Sequence, residues 1–100
     1  MIKVSVVKDG VKFKKVNIVG HAMYDDYGKD IVCSAVSSIV TTTVNGILAL
    51  NNDSLNYSVD EGNVEIIINI NDRITDTLIL NMLNLLKELE NNYPDNIQVK

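Results

Sequence analysis

The chain contains one histidine, His21, and one cysteine, Cys33. A thiolate is a nucleophile and an imidazole can accept its proton, so this pair is the minimum set for covalent acyl transfer. Cys33 closes the run Gly28-Lys29-Asp30-Ile31-Val32-Cys33, where apolar residues begin to recur at three-and-four spacing. With Asp30 as the N-cap, Cys33 falls at the third helical position. There the unsatisfied backbone N–H groups and the positive end of the helix dipole stabilise a thiolate. His21 stands in Gly20-His21-Ala22 at the exit of an expected strand, and the loop that follows is long enough to bring it back to Cys33. The same residues also have plainer uses. A thiol beside Val32 and Val36 suits a core, and a lone histidine often satisfies a backbone carbonyl. Asp30 either caps the helix, an interaction worth about 1 kcal/mol, or orients His21. Ser37 is one turn beyond Cys33 on the same helix face, where packing is its simpler role and a hydrogen bond into the site the other.

The segment from His21 to Lys29 follows neither the helical nor the strand period and reads as a loop. Within it Tyr24, Asp25, Asp26, Tyr27 and Gly28 combine aromatic, acidic and flexible residues. This composition suits a grip on a basic, partly apolar peptide, or equally a solvated lid. Glu61, Glu65, Glu88 and Glu90 show no pairing with a second acid, so carboxylate-pair hydrolysis has no support. The glycines are scattered over turns and element ends, not gathered into a phosphate loop. One cysteine and one histidine do not furnish a four-ligand zinc site. Neither a metal nor a cofactor is expected.

The elements that must position these residues are legible from period. Ile2, Val4 and Val6 alternate, Asp9-Gly10 marks a two-residue hairpin turn, and Val11 and Phe13 resume the alternation. The apolar parity then shifts to Val16 and Ile18, which predicts a bulge near Lys14-Lys15. From Asp30 to about Asn52, Val32, Val36, Ile39, Val40, Val44, Ile47 and Leu48 follow helical spacing. Leu55, Tyr57 and Val59, then Val64, Ile66, Ile68 and Ile70, form a second hairpin around Asp60-Glu61-Gly62-Asn63. Asn71 or Asp72 caps a helix whose apolar stripe is Ile74, Leu78, Met82, Leu85, Leu86 and Leu89, stopped before Pro94. Ile97 and Val99 suit a last edge strand. The order ββαββαβ predicts an α+β fold, one domain over residues 1–100, with an antiparallel or mixed sheet packed against two helices.

At 100 residues, with 46% hydrophobic and 22% charged residues, the chain has the composition of one ordinary globular domain. Nine basic residues against thirteen acidic ones leave a formal charge of −4, which disfavours a nucleic-acid surface. Uninterrupted apolar stretches are short and the start does not read as a secretion signal, so neither a membrane nor export is expected. Together with a single cysteine, this points to the cytoplasm.

Gly20-His21-Ala22, followed after a loop by Gly28-Lys29-Asp30-Ile31-Val32-Cys33-Ser34-Ala35-Val36-Ser37, resembles the ribosomal-processing cysteine protease family, Prp. The family pattern is a Gly-His pair, a loop of variable length, Gly-x-Asp-Ile-Val-Cys, two small residues, and a serine four positions after the cysteine. The departure is Ser34, where the family often has alanine, and both are small. The resemblance implies a cysteine endopeptidase with His21 and Cys33 as the catalytic pair and Gly20, Asp30 and Ser37 in support. It implies removal of an N-terminal extension from the precursor of large-subunit ribosomal protein twenty-seven, a homodimer, and an acyl-enzyme intermediate; helix geometry alone, apart from the resemblance, offers N–H groups at the helix start to the oxyanion. A loop from His21 to Lys29 that closes only over the correct peptide would limit cleavage to one site. Read from the residues alone, a noncatalytic ribosome-associated binding or assembly module and a redox sensor remain the alternatives.

Overall fold

The structure, a computed structural model, describes residues 1–20, the backbone of 27–30, and 31–100. The expectations for His21, Tyr24, Asp25 and Asp26 therefore lie outside the described residues. The order is β1 (Ile2–Asp9), β2 (Lys12–Val19), α1 (Tyr27–Leu50), β3 (Leu55–Asp60), β4 (Asn63–Ile68), α2 (Arg73–Asn92) and β5 (Ile97–Val99), the expected ββαββαβ. The sheet runs β3-β4-β2-β1-β5 and is mixed, because β5 pairs with β1 in parallel while every other pair is antiparallel.

Alternation places one side chain in two on the helix-covered face. Val4, Ile18 and Val64 lie in one cross-strand row, and Val6, Val16, Ile66 and Tyr57 in the next. The other face carries Lys3, Ser5, Asn17 and Glu65, with Lys15 and Glu65 paired at 2.9 Å. A pair this exposed contributes roughly 0.2–1 kcal/mol. The expected bulge is present: Val7 faces Lys15 and Lys8 faces Phe13, leaving Lys14 as the extra residue. Its ammonium donates to Asn71 Oδ1 at 2.8 Å, and Asn71 Nδ2 donates to the Phe13 carbonyl at 2.8 Å. These bonds tie the bulge to the start of α2. The first hairpin turn is Gly10-Val11, not Asp9-Gly10: Asp9 pairs with Lys12, and Gly10, at φ 62°, takes the left-handed position.

In α1, Val32, Val36, Val40, Val44 and Ile47 form a buried stripe against the sheet. Each such side chain contributes roughly 1.5–3 kcal/mol on full burial. Ile31–Leu50 is long and apolar enough, by length and composition, to cross a membrane, a property missed by counting uninterrupted runs; here its valine stripe is core. The β-branched run is tolerated, and Thr43 Oγ1 donates back to the Ile39 carbonyl at 2.9 Å. α2 starts at Asp72, whose carboxylate accepts from Thr75 N at 2.7 Å. Its buried face is Thr75, Ile79, Met82, Leu83 and Leu86, so the expected stripe is rotated and Ile74 and Leu85 face outward. Apolar residues occur on both sides of this helix, so period alone does not choose the face.

Candidate functional site

The site is built where the end of β2 meets the first turns of α1. Cys33 follows Val32 on the inner face of α1 and is 9% exposed. It opens on a hollow of about 30 Å³, the room of one water molecule. Across the hollow lie Gly20, the residue before His21, and Met1 and Ile2 at the start of β1. Asp95 and Asn96, in the turn entering β5, complete the wall, and Ile2 N donates to the Asn96 carbonyl at 2.9 Å. The fold thus brings the nucleophile expected from the sequence beside the residue that leads into the expected base.

Gly20 is fixed there for two reasons. Its φ is +79°, which side chains rarely adopt, and a Cβ would stand 2.2 Å from the Met1 carbonyl oxygen. Its N–H donates to the Gly62 carbonyl at 3.1 Å, which binds the end of β2 to the β3–β4 turn. The departure of the chain toward His21 is therefore set by backbone packing on both sides.

The helix start corrects two expectations. α1 begins at Tyr27, so Tyr27, Gly28 and Lys29 are helical and not loop, and Asp30 lies inside the first turn and not at the N-cap. Asp25 and Asp26 precede Tyr27 in the sequence and are equally good cap types, so the local signal for the start was ambiguous. Cys33 is consequently the seventh helical residue, not the third. At 1.5 Å rise per residue, the unsatisfied N–H groups at the helix start lie about 9 Å back along the axis, and the dipole effect falls off within the first turn. Neither the thiolate nor an oxyanion at Cys33 is served by the helix start in the way the spacing suggested.

Ser37 lies one turn beyond Cys33, exposed, on the wall of a second and larger cavity. This groove, about 480 Å³, lies between α1 and the β3–β4 hairpin. Val36, Val40, Tyr57 and Val64 give it an apolar lining, and Asp60 and Glu61 stand at the turn. The alternation of Leu55, Tyr57 and Val59 predicts ordinary strand residues. Their inward parity agrees with the structure, but β3 is an edge strand, so Tyr57 is only half-buried against the core and Val59 is 62% exposed. Met1, Asp95 and Asn96 were missed for another reason: only the parallel pairing of β5 with β1 brings them to the thiol. Among the described residues, no group of three His, Cys, Asp or Glu side chains is placed to hold a metal ion.

The profile of the family described as Cysteine protease Prp matches residues 1–98. The ribosomal processing cysteine protease Prp of Staphylococcus aureus (strain Mu50 / ATCC 700699) is 32% identical over 103 residues, covering 99% of this chain and 97% of the relative. The crystal structure of the S. aureus protease with a substrate peptide superposes with a TM-score of 0.90 at 30% identity, covering 100% of this chain and 98% of that one. The structure with a covalently linked product peptide gives a TM-score of 0.87 at 31% identity, with the same coverage. A Streptococcus mutans protein gives a TM-score of 0.89 at 28% identity, covering 100% of this chain and 92% of that one. Profile, relative and fold agree over essentially the whole length, and the chain belongs to the Prp family of ribosomal-processing cysteine proteases.

Proposed function

We propose that this protease removes an N-terminal extension from the precursor of large-subunit ribosomal protein twenty-seven, acting as a homodimer in the cytoplasm, with Cys33 as nucleophile and His21 as base. The observation that carries the reading is the shared hollow of Cys33 and Gly20, because the residue after Gly20 is the chain's one histidine. His21 takes the Cys33 proton, and the thiolate sulfur bonds to the scissile carbonyl carbon. The tetrahedral intermediate collapses, the C–N bond breaks, and the imidazolium gives its proton to the leaving amine. Water, giving a proton to His21, then attacks the thioester, releasing the carboxylic acid and restoring the thiol. The covalently linked product peptide seen with the S. aureus relative supports covalent chemistry of this kind.

The test is incubation of the purified chain with the host's own precursor, following the precursor's N-terminus by mass spectrometry. The expected result is loss of a defined extension with wild type and none with Cys33→Ala or His21→Ala. An extension that survives the wild type, or falls equally to either variant, would overturn the assignment.

A further inference from the structure

We infer that the outer edge of β1, past the end of β5, docks an acidic extended segment of another protein. The segment adds to the sheet beside Val6 and Lys8, sets an aliphatic or aromatic side chain into the hollow over α2, and brings carboxylates to Lys8, Lys87 and Lys100. This docking is separate from cleavage of the precursor and does not depend on it.

The edge is left open by a difference in strand length. β1 runs to Asp9, whereas β5 ends at Val99, opposite Val4. Ile2 N donates to the Asn96 carbonyl and Lys100 N donates to the Val4 carbonyl, each at 2.9 Å, so the even-numbered residues of β1 turn their backbone groups toward β5. The bulge places its extra residue in β2, so β1 keeps this alternation through Val6 and Lys8. Among the described residues no strand meets those two on that side. Their N–H and C=O groups form a template on which an added strand can pair. From Ile2, at the Cys33 hollow, β1 advances roughly 20 Å to Lys8, so the open edge lies at the far end of the strand from the nucleophile.

The surroundings of the edge select the occupant. A cavity of about 150 Å³ lies between β1, β5 and α2, with Val6, Phe13, Leu83 and Val99 as its apolar lining. Small-molecule pockets run to roughly 300–1,000 Å³, so this one suits a single large side chain better than a free ligand. Lys8, Lys87 and Lys100 stand around it, and the Lys8 ammonium lies over the Phe13 ring, 5.0 Å from its centroid. None of the three ammoniums is ion-paired among the described residues. The neighbouring acid, Glu90, accepts from Val99 N at 3.2 Å and is engaged by β5. In a chain of formal charge −4, the β1–β2 hairpin carries Lys3, Lys8, Lys12, Lys14 and Lys15 against one acid, Asp9. The hairpin is thus locally positive, and its complement is negative. An acidic peptide supplies the strand, the side chain and the charge together, whereas RNA supplies only the charge.

The experiment titrates the full chain, at low salt, into a fluorescently labelled, end-capped peptide that alternates glutamate with leucine, and reads anisotropy. Wild type should bind it and should not bind the counterpart that alternates lysine with leucine. Lys8→Glu/Lys87→Glu, at two exposed positions that keep the fold intact, should weaken binding at least about tenfold. Peptides N-methylated on one alternate set of residues or the other test the strand pairing: one set should abolish binding and the other should not. Precursor cleavage by the charge variant should match wild type. Absence of wild-type binding, equal binding by the charge variant, or equal binding of both methylated peptides overturns the docking site. Tighter binding of oligouridylate than of the acidic peptide would make the occupant RNA, and self-association abolished by the charge variant would make it a second copy of the chain; either overturns the assignment. A fall in precursor cleavage with Lys8→Glu/Lys87→Glu would tie these lysines to the protease reaction and overturn a separate partner.

Discussion

The two cavities on α1 differ in kind. The hollow at Cys33 holds about 30 Å³ and is framed by tightly packed backbone: Gly20 against the Met1 carbonyl, and Ile2 bonded to Asn96. The groove beside Ser37, one turn away, holds about 480 Å³ and is open along an edge strand. A covalent step needs its atoms held to a fraction of an ångström, and backbone packed on several sides gives that precision. A surface that a larger group enters and leaves needs openness instead, and an edge strand with half-covered side chains gives that. Adjacent turns of one helix thus border a narrow hollow at Cys33 and a wide groove at Ser37.

The largest effect expected is on the proposed catalytic pair. On the proposed dyad, Cys33→Ala or His21→Ala should lower precursor cleavage at least about a thousandfold, and the double variant should be little worse than either single one, as for residues that act as one unit. Additive losses in single-turnover cleavage would show that they do not form a pair. Gly20→Ala comes next. Its Cβ would meet the Met1 carbonyl oxygen at 2.2 Å with φ at +79°, so either the start of β1 or the exit of β2 must move. We expect kcat to fall about a hundredfold with a smaller change in KM, because misplacing the base affects the chemical step more than binding. A Gly20→Ala variant with unchanged kcat would break the link between backbone closure and catalysis.

Charge in the segment before α1 should matter less and through a different parameter. Asn in place of Asp25 and Asp26 is expected to lower kcat/KM a few-fold at low salt and to flatten its dependence on ionic strength, as steering of a cationic substrate weakens. Stopped-flow cleavage across a salt series checks this. Cleavage insensitive both to salt and to the substitutions would remove long-range attraction from the account.

How much of this was legible in the sequence follows the same division. Period fixes the strands, because a shift of parity from Phe13 to Val16 has one structural meaning, the bulge at Lys14. It also marks Val32, Val36, Val40 and Val44 as core. It did not fix the start of α1, where Asp25, Asp26 and Asp30 are all cap types within a few residues, nor the buried face of α2, where Ile74 and Ile79 compete for the same stripe. His21 and Cys33 stand out as candidates in the sequence because each occurs once; the structure places Cys33 at a hollow with Gly20, and His21 lies outside the described residues. Met1, Asp95 and Asn96 around the thiol were not, because a contact between the first and last strands leaves no local pattern. The groove was hidden for a related reason: alternation reveals which way Tyr57 points, not whether a helix covers it.

The smallest effect expected lies away from both cavities and sets the background against which they are read. Asp72 caps α2 through its bond to Thr75 N at 2.7 Å, and that bond holds its carboxyl below the ordinary value of 3.8. A carboxyl with a depressed folded-state pKa contributes stability that is fully present above its unfolded value and is lost as the pH falls through the folded one. Asp72→Ala should therefore lower Tm by roughly 4 °C at pH 7, and the gap should close on acidification below about pH 3.8 as wild type loses the same bond. Cleavage at pH 7, below both melting transitions, should be unchanged, because the cap touches neither the hollow nor the groove. Thermal melts from pH 7 downward, paired with cleavage assays at pH 7, separate stability from function. A loss of kcat in Asp72→Ala would show that the α2 start, tied by Asn71 to the Lys14 bulge, bears on the catalytic end of the sheet.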